Sequence, residues 1–249
     1  MRAIPVDIVR AFGLLTRLPM PATAPPDATA LSRSVWAYPI VGAVVGAIGA
    51  LVWYAGQLAG LGGGLSAGLA VAVQVLVTGA LHEDGLADFA DGLGGGHDRE
   101  RMLAIMRDSR IGTFGVLALI LVLGLRWGGT ADLPVLQVLA GLICAGLLGR
   151  LAIILLLLLL KPARGDGLGV KVASPPFGAV LAAVLFSVAI VFLHLPPVVG
   201  ALAFAVMAVS AAAVALLAKR RIGGYTGDVL GAGEQIAEMS VLVILAATL

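Results

Sequence analysis

Charge is scarce in this chain. Asp, Glu, Lys and Arg make up 12% of its 249 residues, whereas an average soluble protein has about 25%. The single cysteine, Cys144, excludes a disulfide scaffold. The formal net charge of +2 gives no argument for nucleic acid as a partner. Hydrophobic residues reach 60% and mean hydropathy is +1.08, which excludes a disordered chain. The class that remains is a protein embedded in the lipid bilayer.

Long apolar runs define the predicted fold. A helix needs about 20 mostly apolar residues to cross about 30 Å of hydrocarbon, and these runs lack the alternation of transmembrane strands. The candidate spans are residues 35–61, 65–81, 111–127, 135–160, 177–195 and 198–217. A seventh run, 236–249, is short and includes Glu238. We therefore predict an all-α polytopic bundle of six to seven transmembrane helices, with a single membrane-embedded catalytic domain over residues 1–249.

The first 34 residues are predicted to be an interfacial segment rather than a signal peptide. Charged residues interrupt the apolar run every few positions, which a secretory signal would not tolerate. Apolar residues recur at helical spacing opposite the charged ones; the apolar set is Ile4, Ile8, Phe12 and Leu15, and the charged set is Asp7, Arg10 and Arg17. This pattern predicts a helix in the plane of the membrane interface.

Nearly all charges fall on one side of the predicted bundle. Alternate threading gives that side the N-terminus and the loops 82–110, 161–176 and 218–235, with 14 of the 16 basic residues. The positive-inside rule makes it the cytoplasmic side of the inner membrane. Because only Asp132 of the 14 acids lies on the other side, we expect the chemistry at the cytoplasmic face. Arg126 is predicted near the opposite face. Arg150 lies inside a span, where it either lines a polar cleft or pairs with helix carbonyls.

The stretch 82–92 carries an acidic cluster. Asp84, Asp88 and Asp91 are spaced i, i+4 and i+7, so a continuing helix places them on one face. Carboxylates at this spacing repel one another, but they become favourable around Mg²⁺, which takes oxygen ligands. We predict these aspartates as the catalytic and metal-binding residues; a solvated helix end is the alternative. Since an otherwise all-oxygen set does not suit zinc, His82 and Glu83 are predicted to support the ligands rather than bind the metal.

A second polar stretch contains paired arginines. Arg107 and Arg110 lie one helical turn apart, and guanidinium groups bind phosphate through a planar fork. We predict that this pair binds substrate phosphate, with Ser109 in a supporting position. The alternative is a basic anchor at the start of a span.

A third polar stretch, 219–234, is rich in glycine and begins with basic residues. Its five glycines allow the backbone to approach a ligand, and Lys219 suits a phosphate. The spacing is not that of a Walker motif. Asp228 is predicted to complete the metal site, with Glu234 as a weaker candidate.

At four stretches the chain resembles the cobalamin synthase family, the adenosylcobinamide-GDP ribazoletransferases. These are LTRLP at 15–19, HEDGLADFADG at 82–92, MRDSRIGTFG at 106–115 and GGYTGD at 223–228. The resemblance implies a reaction of adenosylcobinamide-GDP with α-ribazole or its 5′-phosphate, which gives adenosylcobalamin or its phosphate and GMP, with Mg²⁺. Asp84, Asp88 and Asp91 would then hold the cation at the diphosphate, and Arg107 and Arg110 would hold phosphate oxygens.

Two other functions fit parts of the pattern. A CDP-alcohol phosphotransferase is also a helical membrane enzyme with clustered aspartates, but its motif has Ala and Arg where Asp88 and Phe89 stand here. A membrane transporter would place ionisable groups near the midplane, whereas here only Arg150 is predicted to lie deep.

Overall fold

The computed structural model describes residues 3–22, 28–165, 172 and 174–249, most of them in helices. The helices, in chain order, are α1 (Ala3–Leu15), α2 (Ala28–Ser34), α3 (Tyr38–Leu58), α4 (Gly63–Thr78), α5 (Leu81–Gly95), α6 (Arg99–Ile105), α7 (Thr113–Asp132), α8 (Val138–Leu159), α9 (Phe177–His194), α10 (Pro197–Ile222) and α11 (Gly227–Thr248). Short 3₁₀ turns precede α3 and α8. These residues contain no strand, so the all-α prediction is confirmed.

Six helical segments are long and apolar enough to cross a membrane. They are Thr29–Leu58, Thr113–Asp132, Val135–Leu159, Phe177–His194, Pro197–Ile222 and Gly227–Thr248. A seventh crossing results if α4 and α5, bent by 89° at their junction, form one broken span. The junction is made by Gly79 and Ala80, which both adopt left-handed backbone angles, with φ of 66° and 57°. The predicted polytopic bundle of six to seven helices is confirmed.

Close packing between α3 and α8 depends on glycine. A Cβ atom on Gly42 would lie 2.0 Å from the carbonyl oxygen of Gly146, and one on Gly46 would lie 2.1 Å from that of Leu142. No side chain fits at these distances, so the two helices meet backbone to backbone. Small residues permit this approach in lipid, where no hydrophobic force presses helices together.

The last helix is longer than its sequence predicted. Residues 236–249 were expected to form a short span and 218–235 a loop, but α10 continues to Ile222 and α11 begins at Gly227. The Thr226 side chain caps α11 by accepting a hydrogen bond from the Val229 amide. The helix thus includes Glu234 and Glu238, and it can do so because both carboxylates are paired with arginines inside the bundle.

The predicted loop 82–110 also contains helices, α5 and α6. Helix α6 is held against the rest of the bundle by Arg99. Its guanidinium group donates hydrogen bonds to the carbonyl of Ile222 at 3.0 Å and to that of Ala163 at 2.5 Å. One arginine therefore joins α6 to the end of α10 and to the segment that follows α8.

Helix α1 forms within the predicted interfacial segment, but its polar face is not fully exposed. Asp7 is buried, and its carboxylate accepts hydrogen bonds from Arg33 of α2 at 2.9 and 3.0 Å. The prediction that Asp7 faces the interface is wrong, because α2 covers it with an opposite charge. Residues 1, 2 and 23–27 of the predicted segment lie outside the described residues.

A buried ionic network joins α5, α7, α8 and α11. Glu238 lies between two arginines: its Oε1 is 2.5 Å from Nη2 of Arg126, and its Oε2 accepts a hydrogen bond from Arg150. Nη1 of Arg126 is 3.2 Å from Oε1 of Glu83, and Nη1 of Arg150 is 2.6 Å from Oε1 of Glu234. All five residues are buried. Charges this deep persist in a membrane protein because they are paired.

This network shows the partners of Arg126 and decides the alternatives for Arg150. The guanidinium group of Arg126, which was predicted near the opposite face of the membrane, points into the core toward Glu83 and Glu238. Arg150 pairs mainly with carboxylates. It also donates to the carbonyl of Gly146 at 3.3 Å, so pairing with helix carbonyls describes one of its contacts.

Candidate active site

Helix α5 carries the acidic cluster and presents its carboxylates to different surroundings. Asp84 is exposed, Asp88 is half-buried and Asp91 is buried. Although the three residues share one broad face, α5 packs against both α7 and α11. The two ends of that face therefore meet different neighbours, and the cluster divides into two parts.

Asp91 is bound to the start of α7. Its Oδ2 accepts a hydrogen bond from the amide of Gly112 at 2.6 Å, and its Oδ1 accepts one from the amide of Gly115 at 2.8 Å. These amides belong to the unpaired N–H groups at a helix N-terminus, which favour a carboxylate. Both carboxylate oxygens of Asp91, which was predicted as a metal ligand, thus already accept a hydrogen bond from the backbone.

Asp84 and Asp228 come together because α5 and α11 approach closely. A Cβ atom on Gly85 would lie 3.1 Å from the Cα of Asp228, and one on Gly231 would lie 3.1 Å from the carbonyl oxygen of His82. Side chains at either glycine would separate the two helices. Glycine at both positions allows carboxylates from two distant parts of the sequence to face one cavity.

This cavity has a volume of about 280 Å³ and opens beside the acidic cluster. Its polar wall consists of His82, Asp84, Arg164, Thr226 and Asp228. Its remaining wall is mostly apolar and includes side chains of α1, α3 and α8. Convergent polar groups in a largely apolar pocket are typical of a small-molecule site.

The carboxylates at this cavity repel one another. Asp228 accepts a hydrogen bond from the Thr226 hydroxyl at 3.0 Å and lies 3.6 Å from Nη2 of Arg164. The negative charge of Asp88 is opposed by Asp84, Asp228 and Asp91, and only Arg164 favours it. One arginine does not balance this group of acids, so the site favours a further cation.

The predicted supporting residues have separate roles. Glu83 points away from the cavity, since it binds Arg126 and accepts a hydrogen bond from Gln235 at 3.1 Å. His82 lines the cavity, and its Nδ1 is 3.3 Å from Oε2 of Glu234. Glu234 was the weaker candidate to complete the metal site with Asp228. It is buried against Arg150 and does not line the cavity.

The predicted phosphate-binding residues do not line the cavity. Arg110 is exposed and binds the neighbouring Asp108, with Nη2 2.6 Å from Oδ2. Its hydrogen bonds hold the pKa of Asp108 at about 2. Arg107 and Ser109 are exposed in the same turn between α6 and α7. Lys219 is exposed on the last turn of α10.

The four predicted metal ligands thus do not form one shell. Across the described ranges, no three His, Cys, Asp or Glu side chains are arranged to hold a metal ion by themselves. Asp84 and Asp228 line the cavity, and Asp88 lies close enough to feel the charge of both, whereas the carboxylate of Asp91 is bound to the start of α7.

Known proteins resemble this chain over nearly its whole length. The family model of cobalamin-5-phosphate synthase matches residues 7–246. The chain belongs to this family. A relative from Bradyrhizobium diazoefficiens, named adenosylcobinamide-GDP ribazoletransferase, is 44% identical, with 99% of this chain and 95% of the relative covered. Relatives of the same name from Xanthobacter autotrophicus and a Sinorhizobium species are 46% and 41% identical; the alignments cover 95% and 97% of this chain, and 94% and 96% of the relatives. No solved structure matches the chain.

Membership of the cobalamin-5-phosphate synthase family confirms the resemblance found in the sequence. It also confirms the predicted class, a membrane-embedded transferase of cobalamin biosynthesis. Three of the four stretches that carry the resemblance contribute to the cavity, through Leu15, Asp84 and Asp228. The fourth, 106–115, meets the acidic helix through the contact of Gly112 with Asp91.

Arg164 is a cavity residue that the sequence did not single out. The segment after α8 is joined to the segment before α11 by backbone hydrogen bonds from Ala163 to Tyr225 at 2.8 Å and from Tyr225 to Lys161 at 2.9 Å. These bonds bring Arg164 beside Asp228. Only its basic character in a predicted loop marked it in the sequence, and that character was shared by Lys161 and Lys171. Lys171 lies outside the described residues.

Proposed function

We propose that this protein joins adenosylcobinamide-GDP to α-ribazole, or to its 5′-phosphate, and releases GMP. The observation that carries the proposal is the grouping of Asp84 and Asp228 with Arg164 at one cavity of a membrane bundle, with Asp88 close by. The family match and the names of the relatives supply the substrates. The one-sided basic residues support a cavity on the cytoplasmic face of the inner membrane.

The donor set at the cavity fits Mg²⁺. Asp84, Asp88 and Asp228 offer only oxygen atoms, and their repulsion is offset by a single arginine. Mg²⁺ is commonly held by one or two carboxylates together with waters and substrate phosphates, so a complete protein shell is not required. When bound, the ion would neutralise charge on the diphosphate. We propose Asp84 and Asp228 as its main ligands, with Asp88 beside them.

The transfer itself is a phosphoryl-type displacement. A hydroxyl of the ribazole attacks the phosphorus attached to cobinamide, an oxygen–phosphorus bond forms, and the bond to the GMP oxygen breaks as the hydroxyl proton is released. Such a step depends on in-line positioning and on charge stabilisation rather than on a covalent protein intermediate. Arg164 is placed to bind phosphate oxygens at the cavity, and Thr226 fixes the Asp228 carboxylate through its hydrogen bond.

The exposed bases have a different place in this proposal. Arg107, Arg110 and Lys219 lie outside the cavity wall. We assign them to attraction of the anionic nucleotide substrate toward the charged end of the bundle, since surface charge raises the local concentration of an oppositely charged ligand.

Purified protein in detergent, supplied with adenosylcobinamide-GDP and α-ribazole, tests the proposal. We expect GMP release that requires both substrates. A CDP-alcohol phosphotransferase would instead release CMP from a CDP-alcohol. A transporter would move a cobalt compound into sealed vesicles without releasing nucleotide. Either result in the absence of GMP release would contradict the proposal.

A further inference from the structure

The cavity contains a buried phenol with no partner. Tyr38, the first residue of α3, lines the cavity and is 2% exposed. Its hydroxyl has no hydrogen-bond partner within the described part of the chain. Buried tyrosine hydroxyls normally have a partner, because leaving such a group unsatisfied is destabilising. Because Tyr38 lines the cavity, its unpaired hydroxyl is a donor available to a bound ligand.

Most of the cavity wall is apolar. It is formed by Leu14, Leu15, Leu81, Ile153, Val172 and Leu230, and the carboxylates of Asp84 and Asp228 lie on the polar wall. The cavity therefore suits a ligand that combines an apolar ring with a hydroxyl or phosphate group. A guanine ring fits poorly, since its several donors and acceptors would find few partners among these side chains.

The volume also selects among the substrates. At about 280 Å³, the cavity lies just below the range of about 300–1,000 Å³ that is typical of pockets for drug-sized ligands. A nucleoside with a bicyclic base is of this size, whereas a corrin ring is far larger. The corrin ring must therefore lie mostly outside the cavity, and the apolar wall rather than the volume favours α-ribazole over guanosine.

We propose that this cavity is the binding site for the aromatic base of the nucleoside acceptor, the benzimidazole of α-ribazole. This inference rests on the proposed function. The Tyr38 hydroxyl donates a hydrogen bond to the ring nitrogen that does not carry the ribose, which is an acceptor only. The apolar side chains contact the ring faces and methyl groups, and the ribose hydroxyl is directed toward Asp84 and Asp228.

The variant Tyr38→Phe removes only the hydroxyl and leaves the ring in an apolar environment. We expect the KM for α-ribazole to rise about five-fold, as for the loss of one hydrogen bond between neutral groups. The KM for adenosylcobinamide-GDP and kcat should not change. Tyr54→Phe is the matched control, because the Tyr54 hydroxyl donates to the carbonyl of Val135 at 2.8 Å, away from the cavity. It should leave both KM values unchanged.

A second measurement uses an α-riboside whose indole ring has a carbon in place of the free nitrogen. The unaltered protein should bind it about five-fold more weakly than α-ribazole, and Tyr38→Phe should bind the two nucleosides equally, since both changes remove the same bond. The proposal would be overturned if Tyr38→Phe still bound α-ribazole more tightly than the indole nucleoside. It would also be overturned if this variant raised the KM values for α-ribazole and for adenosylcobinamide-GDP equally. Equilibrium binding of α-ribazole gives the same comparison without turnover. Failure of the proposed function, seen as no GMP release, is thereby distinguished from failure of the base site.

Discussion

The carboxylate of Asp91 accepts a hydrogen bond from the backbone amide of Gly112 at 2.6 Å. Through this bond and a second one from the amide of Gly115, the acidic helix α5 caps the transmembrane helix α7. The aspartates of one short motif therefore have two physical roles. Asp91 fixes the position of α5, while Asp84 and Asp88 remain beside the cavity with Asp228.

The cap predicts that Asp91→Ala lowers stability. Two helix amides lose their acceptor, and the loss of a helix cap costs about 0.5–2 kcal/mol. We expect a lower thermal unfolding temperature in detergent. Asp91→Asn should show a smaller decrease, because its amide oxygen still accepts one of the two bonds. Equal stability of Asp91→Ala and the unaltered protein would contradict the capping role.

Substitution of Asp84 is expected to lower activity without lowering stability. Asp84→Asn removes a charge that is exposed at the cavity, so we expect an unchanged unfolding temperature but a decrease in GMP release of at least about 100-fold, the size seen when a group that stabilises charge in the transition state is lost. Asp132→Asn serves as the control, because Asp132 is exposed at the end of α7. It should leave the unfolding temperature and GMP release unchanged. Near-normal turnover by Asp84→Asn would remove this residue from the mechanism.

Substitutions of Arg164, at the cavity, and of the exposed Arg110 are expected to differ in their effect on kcat/KM. Arg164→Met should lower kcat/KM for adenosylcobinamide-GDP by about 10–100-fold, because hydrogen bonds to charged groups contribute about 1.5–3 kcal/mol. Arg164→Lys should recover only part of the loss, since an ammonium group lacks the planar fork. Arg110→Met should have an effect of about three-fold or less, as expected for an exposed charge. If Arg110→Met were the more damaging change, the assignment of Arg164 to substrate phosphate would be wrong.

The ionic network predicts a stability effect at Glu238. Glu238→Gln leaves Arg126 and Arg150 without their shared carboxylate, and breaking a buried ion pair costs about 3–5 kcal/mol. We expect a marked decrease in the unfolding temperature, while an isosteric change at the exposed Glu100 should have no effect. A Glu238→Gln protein as stable as the unaltered one would show that this pairing does not hold α7, α8 and α11 together.

Patterns local in the sequence predicted most of the fold. Apolar runs of sufficient length marked the crossings, and the basic residues marked one side of the bundle. The start of α11 was missed because Glu234 and Glu238 lower local hydropathy, and their partners, Arg126 and Arg150, lie about 90–110 positions earlier in the chain. Nothing in the spacing of charges along one helix shows that a distant helix supplies the opposite charge.

The candidate site was predicted in part for the same reason. Helical spacing placed Asp84, Asp88 and Asp91 on one face, and the glycine-rich stretch drew attention to Asp228. Spacing alone did not reveal that Asp91 meets the amides of α7, since this depends on how α5 packs. Arg164 reaches the cavity through backbone bonds between segments about 60 residues apart, which composition does not show.

The dependence of GMP release on Mg²⁺ tests the central claim most directly. Purified protein with both substrates should lose activity when a chelator removes divalent cations and regain it when Mg²⁺ is restored, and Asp228→Asn should need a higher Mg²⁺ concentration for half-maximal rate. Undiminished GMP release in the presence of chelator, or an identical Mg²⁺ requirement in Asp228→Asn, would contradict the account of the acidic cavity as a cation-assisted transfer site.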